Sequence, residues 1–219
     1  MGNEGFFMKK IIASILACTA LMGAFSGCGD DNSSVSGDLI GGSVEDMDEA
    51  DMPYGSTMKE VKSGKIPVCF DRRFIDDDIM MMVSDYFYAV QTEDEALFKS
   101  VSNPDYLSFV ENNSGQSTAD YLKGIKANEE NNVGGDFKYT YLEVSNLKSK
   151  DEDTQIGEII RLMDQTYADN KKSDTFTSTI ENAYALTINV TSEANGSSYT
   201  NPDVKVYVFK CKDGTYIFN

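Results

Sequence analysis

Hydrophobic and polar positions change their rhythm along this chain. An apolar run, IIASILACTALMGAF at 11–25, follows Lys9 and Lys10 and stops at Gly27-Cys28, where acids and serines take over. Residues 29–58 then carry eight acids and no base, with Gly and Ser between them. That stretch has too little apolar surface to offset the entropy of ordering it, which predicts a disordered acidic tether over 28–60. A folded domain is predicted from residue 61 to residue 219.

Within the domain the period is first helical. GKIPVCFDRRF reads as a short edge strand or an extended lead-in. In DDDIMMMVSDYFYAVQ, Ile79, Met82, Val83, Phe87 and Val90 fall on one helical face, and Asp76, Asp77 and Asp78 suit the N-terminal end of the helix dipole. Thr92-Glu93-Asp94-Glu95 has the form of a capping box opening a second helix, which Asn103-Pro104 ends. STADYLKGIKANEE predicts a third, closed by Gly134-Gly135. The period then drops to two in FKYTYLEVSNLK, a strand with apolar residues on both faces. A helix returns in DEDTQIGEIIRLMDQTYADNKK, with Ile156, Ile159, Ile160, Met163 and Tyr167 on one side, acids at its head and lysines at its tail. In TFTSTIENAYALTINVTSE, Ile180, Tyr184, Leu186, Ile188 and Val190 alternate with mostly Thr, Ala and Asn. NGSSYTNP turns the chain, DVKVYVFKC returns it, and Asp213-Gly214 makes a hairpin into TYIFN. Helices first and long strands last predict an α+β domain: helices packed on a curved, cone-like antiparallel sheet, with an extra helix between strands.

A basic pair, an apolar core of about fifteen residues and small residues at its end form a secretory signal over 1–27. Gly23, Ser26, Gly27 and Gly29 interrupt the run in a way a membrane span does not need. Phe25-Ser26-Gly27-Cys28 resembles the bacterial lipobox, in which the peptide bond before the cysteine is cut and the thiol carries a diacylglyceryl group. Small residues precede Cys28 as that processing requires, although Phe25 stands where Leu is usual. The resemblance implies a membrane lipoprotein held by acyl chains at Cys28, on the extracytoplasmic side of the cell membrane. Two chains hold durably where one is marginal. The opening VSDYFYAVQTEDEALFKSVS and the closing VKVYVFKCKDGTYIF of the domain are similar to nuclear-transport-factor-two-like, cystatin-like cone folds. The helix over 151–167 is not a regular part of that pattern.

Composition narrows the chemistry. Removing residues 1–27 takes away Glu4, Lys9 and Lys10 and leaves 35 acids against 17 bases, a net charge of −18. Such a surface repels phosphate backbones, so no nucleic-acid partner is expected. No histidine occurs anywhere, which removes the commonest general base and transition-metal ligand. It also removes the Asp–His pair that cone-fold enzymes often use. Cys69 and Cys211 remain in the domain; in an exported protein they are candidates for a disulfide, the other reading being two separate buried thiols. They lack zinc-site spacing. The acids Glu45, Asp46, Asp48, Glu49 and Asp51 lack the glycine and closing glutamate of an EF-hand, and read as a solvated run. Neither metal nor cofactor is expected.

Two groups of side chains stay open to a functional reading. Asp71, Asp76, Asp77, Asp78 and Asp85 near the first helix, with Glu143 and Glu181 on strands, are the carboxylates that burial could turn into an acid or base. Tyr139, Tyr141, Tyr184 and Tyr207, with Phe209, lie on predicted strands, where a curved sheet could present a hydroxyl-edged ligand pocket; a tyrosine-rich core is the plainer alternative. The expectation is a tethered, non-enzymatic domain that binds a small ligand or a protein partner. The alternative is a cone-fold enzyme using carboxylates and tyrosines without histidine.

Overall fold

The computed structural model describes Asp48 and residues 51–218. The leader, Cys28 and the tether as far as residue 47 lie outside the described residues. The rest is an α+β fold of six helices and one open, curved, mostly antiparallel sheet of six strands. In chain order the elements are β1 (Met58–Val61), β2 (Val68–Asp71), α1 (Asp77–Thr92), α2 (Glu95–Val101), α3 (Pro104–Ser114), α4 (Thr118–Val133), β3 (Phe137–Ser149), α5 (Thr154–Asp169), α6 (Phe176–Thr179), β4 (Ile180–Ala194), β5 (Ser197–Cys211) and β6 (Gly214–Phe218). Strands lie side by side in sequence order, antiparallel throughout except that β2 and β3 are parallel. A parallel pair cannot be joined by a tight turn. Helices α1 to α4 form the required crossover.

Two apolar clusters lie on opposite faces of the sheet, and strand alternation produces both. Leu186, Ile188 and Val190 of β4 join Val204, Val206 and Val208 of β5 and Ile217 of β6 in the first cluster, under Met80, Val83, Phe87 and Val90 of α1 and Leu122 of α4. Residues of opposite parity, Ala183, Ala185, Phe209, Cys211 and Phe218, form the second cluster with Ile156, Ile159, Met163 and Tyr167 of α5 and Phe176 of α6. The inserted helix α5 thus covers the face that the crossover leaves bare. Helix α3 wraps the β6 edge, giving Leu107 to the first cluster and Tyr106 to the second. Each fully buried Ile, Met or Phe contributes on the order of 1.5–3 kcal/mol by leaving water.

Several local expectations are corrected. The domain begins before residue 61: β1 starts at Met58, and Tyr54 packs on the first cluster and donates its hydroxyl to Val144 O at 3.1 Å. Residues 51–60, expected as tether, are folded, and β1 rather than β2 is the edge strand. Helix α2 is capped by Asp94, which accepts from Leu97 N at 3.0 Å, while Thr92 Oγ1 turns back to Tyr88 O. The capping box fails because Glu93 takes the left-handed conformation that ends α1 (φ 54°) and so cannot start α2. Asn103-Pro104 ends α2 and also starts α3, Asn103 capping it with Pro104 in its first turn. The β4–β5 turn is only Asn195-Gly196, both left-handed (φ 53° and 76°), the signature of a two-residue hairpin. What read as a longer turn is the start of β5.

Candidate functional site

The register of β1 to β5 places a row of polar side chains on the α5 side of the sheet. Glu60, Cys69, Glu143 and Asn189 stand in register across β1, β2, β3 and β4. Tyr141, Thr191 and Thr200 form a neighbouring row, and Thr187 pairs with Lys205 on the other side. Lys205 Nζ donates to Thr187 Oγ1. The second apolar cluster takes nothing from β1, β2 or β3, so this part of the face lies outside the cover that α5 provides. Glu60, Lys205 and Thr200 are exposed, and Cys69, Tyr141, Glu143 and Asn189 are half-buried.

Its electrostatics are those of a hydroxyl-rich patch beside two carboxylates. Partial burial raises the Tyr141 hydroxyl above its ordinary range; its hydrogen bond with the Cys69 thiol and the charges of Glu60 and Glu143 push the same way. Burial also pushes Tyr54, at the seam between β2 and β3, up to about 12; a backbone hydrogen bond at Asp71 opposes the rise, and the charges of Asp71, Cys69 and Glu143 add to it. Both phenols stay protonated, Tyr54 already donating to Val144 O and Tyr141 bonded with the Cys69 thiol. The patch therefore offers hydroxyl, thiol and amide groups in a field that disfavours anions.

A buried ion pair anchors the edge of this face. Asp71 is fully buried and accepts from Arg73 Nε at 2.9 Å and Nη2 at 2.6 Å, from Thr57 Oγ1 at 2.9 Å and from Gly55 N at 3.1 Å. Arg73 also donates to Met52 O at 3.1 Å and Pro53 O at 2.9 Å. Residues 52–57 are thereby strapped across the open seam of the sheet. Arg73 holds the Asp71 carboxyl well below the usual carboxylate range against the cost of burial, with help from Thr57 and the backbone amides of Arg73 and Gly55.

The four expected pocket tyrosines do not converge. Tyr139 is buried in the first cluster, Tyr184 half-buried against it with its hydroxyl taken by Asn182 Nδ2 at 2.7 Å, and Tyr207 packs on the second cluster. Only Tyr141 lies on the uncovered patch. Thr140 is the extra residue of a β-bulge between Tyr139 and Tyr141, so the two tyrosines point to opposite faces. Cys69 and Cys211 are both free. Cys69 aligns through Glu143 with Asn189, and Cys211 sits on β5 well beyond the partners of Asn189's neighbours, Val204 and Asn201. At about 3.3 Å per residue and about 4.8 Å per strand the sulfurs are more than about 20 Å apart, far beyond the ~7 Å Cα limit of a disulfide.

The carboxylates divide similarly. Asp71 is spent on Arg73, Asp77 pairs with Arg72 at 2.6 Å, Asp76 precedes α1 with Asp78 in its first turn, and Glu181 is exposed. Of those named from the sequence, only Glu143 joins the patch. Sequence reasoning missed Tyr54 and Arg73. Among the described residues no three Cys, Asp or Glu side chains stand where they could hold a metal ion, and no helix is long and apolar enough to cross a membrane. Comparison with family models, curated proteins and solved structures finds no match to this chain.

Proposed function

We propose that this protein is an extracytoplasmic lipoprotein, moored to the cell membrane through Cys28, whose domain binds a partner or small ligand on the uncovered patch around Tyr141. The seam at Ser26-Gly27-Cys28 supports the anchor. One structural observation carries the binding reading: α5 buries one part of a sheet face and leaves the β1–β3 part of the same face set with Glu60, Cys69, Tyr141 and Glu143. Hydroxyl and amide donors beside carboxylates fit a polyhydroxylated or cationic ligand far better than a phosphate or an anionic peptide. The cone-enzyme alternative is not carried further, because its tyrosines sit on opposite faces.

Two experiments test the two halves. Cys28→Ser should release the protein from membrane fractions and abolish incorporation of labelled fatty acid; retained label contradicts the anchor. Tyr141→Ala with Glu143→Gln should abolish retention of the protein on immobilised cell-surface polysaccharide without moving its melting temperature by more than about 3 °C. Unchanged retention, or none by the wild type, contradicts the polyhydroxylated ligand.

A further inference from the structure

The sheet has a second open edge, inside the strand order. β3 pairs with β4 along its length, but on its other side β2 meets it only at Leu142 and Glu143. Past that point β2 turns away, Phe74 N–H closing a turn onto Asp71 O at 3.1 Å. β3 runs on to Ser149 with no strand beside it there among the described residues. Side chains meet its backbone instead. Val144 O accepts from the Tyr54 hydroxyl at 3.1 Å, Leu147 N–H donates to Asn146 Oδ1 at 2.9 Å, and Ser149 N–H donates to Glu152 Oε2 at 2.8 Å. Leu142 N–H points away from β4, onto Pro67 O at 3.0 Å. Strand alternation carried through the bulge at Ser145 aims Leu147 and Ser149 the same way.

An incoming strand would meet those groups at little cost to the fold. Asn146 and Glu152 are exposed, so their side chains return to water when a backbone replaces them, and no buried group is left unpaired. On the α1 side the flank of this edge is apolar. Tyr54, Leu147 and Tyr184 pack there against the first cluster, Tyr184 standing opposite Ser149. Phe74, 38 % exposed, is the one large apolar side chain among the described residues that stands out in water. Tyr54 ties it to this edge, its ring 5.4 Å from the Phe74 ring while its hydroxyl holds Val144 O. On the α5 side the edge presents Asn146 and Lys148, both exposed.

Charge narrows the occupant. The chain carries a net charge of −17, and Lys148, the cation on this edge, is offset by Glu152 beside it. An acidic segment is therefore repelled. We propose that the Val144–Ser149 edge accepts an extended, non-acidic segment of a partner protein by strand addition, its apolar side chains resting on Phe74 and Leu147 and its polar ones lying beside Asn146 and Lys148. Backbone hydrogen bonds to Leu147 and Ser149 supply the affinity, and the apolar flank fixes which face of the segment turns inward. This edge goes beyond the patch around Tyr141 and uses neither the Tyr141 nor the Glu143 side chain.

The test is a titration of the full chain in detergent with a fluorescent heptapeptide, Lys-Val-Thr-Val-Thr-Val-Lys, capped at both ends, with amide exchange read residue by residue at saturation. Saturable binding that slows exchange at Leu147 and Ser149 by about tenfold or more is the expected result. N-methylating the valines or the threonines, whichever set faces β3, should weaken binding by about tenfold, because it removes the donors along that side of the peptide. Phe74→Ser should weaken it similarly while leaving the fold intact, and a glutamate-flanked peptide should bind less tightly than the lysine-flanked one. Tyr141→Ala with Glu143→Gln should bind the peptide as wild type does, which separates failure here from failure of the patch. The proposal is overturned by no saturable binding, by protection at β1 in place of Leu147 and Ser149, or by undiminished binding of both methylated peptides. It is equally overturned by undiminished binding in Phe74→Ser, by equal binding of the glutamate-flanked peptide, or by loss of binding in the Tyr141 and Glu143 double variant.

Discussion

Replacing Arg73 by methionine would keep the stem over the Phe74 ring, which the guanidinium now overlies at 5.0 Å, and remove the charge. The fully buried Asp71 would keep its bonds from Thr57 and Gly55 but lose both guanidinium bonds, the Met52 carbonyl would lose its bond from Arg73, and the Pro53 carbonyl would keep only its bonds from Ser56. Breaking a buried pair by removing one partner costs about 3–5 kcal/mol, because the remaining charge stays desolvated. For a domain of this size that is a fall in Tm of roughly 6–20 °C. The pH dependence follows from the depressed Asp71 carboxyl. A carboxyl lowered by folding contributes stability that is fully present above the unfolded value near ~3.9 and is lost as pH falls toward the folded one. Melting followed by far-ultraviolet circular dichroism at a series of pH values should therefore show the full difference between wild type and Arg73→Met from pH 7 to about pH 5. The difference should narrow steadily at lower pH. A drop under about 2 °C at pH 7, or a difference unchanged at pH 2.5, would refute the assigned role of the ion pair.

Three further outcomes are expected. Asp94→Ala should cost about 1 kcal/mol in urea denaturation and Thr92→Ala only a few tenths, since Asp94 caps α2; the reverse order would restore the capping box. Phe176→Ala, opening a hole among Tyr167, Phe209 and Phe218, should cost about 3–5 kcal/mol, with faster proteolysis at residues 170–175. Thiol titration after unfolding without reductant should find Cys69 and Cys211 both free, and reductant should leave the Tm unchanged; a mass two protons short would mean a bridge.

Long periodic segments announced themselves. Helix α5 was visible because its apolar residues recur at helical steps between an acidic head and a basic tail, and β4 because Tyr184 to Val190 alternate cleanly. Where the sequence misled, one residue shifted a pattern. The bulge at Thr140 reversed the relation of Tyr139 to Tyr141, and this dissolved the expected pocket. Periodicity has no way to register an inserted residue that leaves both flanking segments strand-like. In β4 and β5 both faces are apolar toward β6, which reads from sequence as a richer core and not as a second cluster beneath α5. The strap over residues 52–57 was hidden by composition: its proline, glycine and two small hydroxyl residues resemble the tether, and its order comes from Asp71 and Arg73, more than a dozen residues later. A single distant ion pair overrides local disorder, and no local window contains it.

The address of the protein rests on one sulfur, and intact mass spectrometry of the protein extracted from its own membranes addresses it directly. A chain beginning at Cys28, heavier than its sequence by a diacylglyceryl group, is what the lipobox reading requires. A chain that still carries residues 1–27, or one that begins at Cys28 with an unmodified thiol, would contradict it.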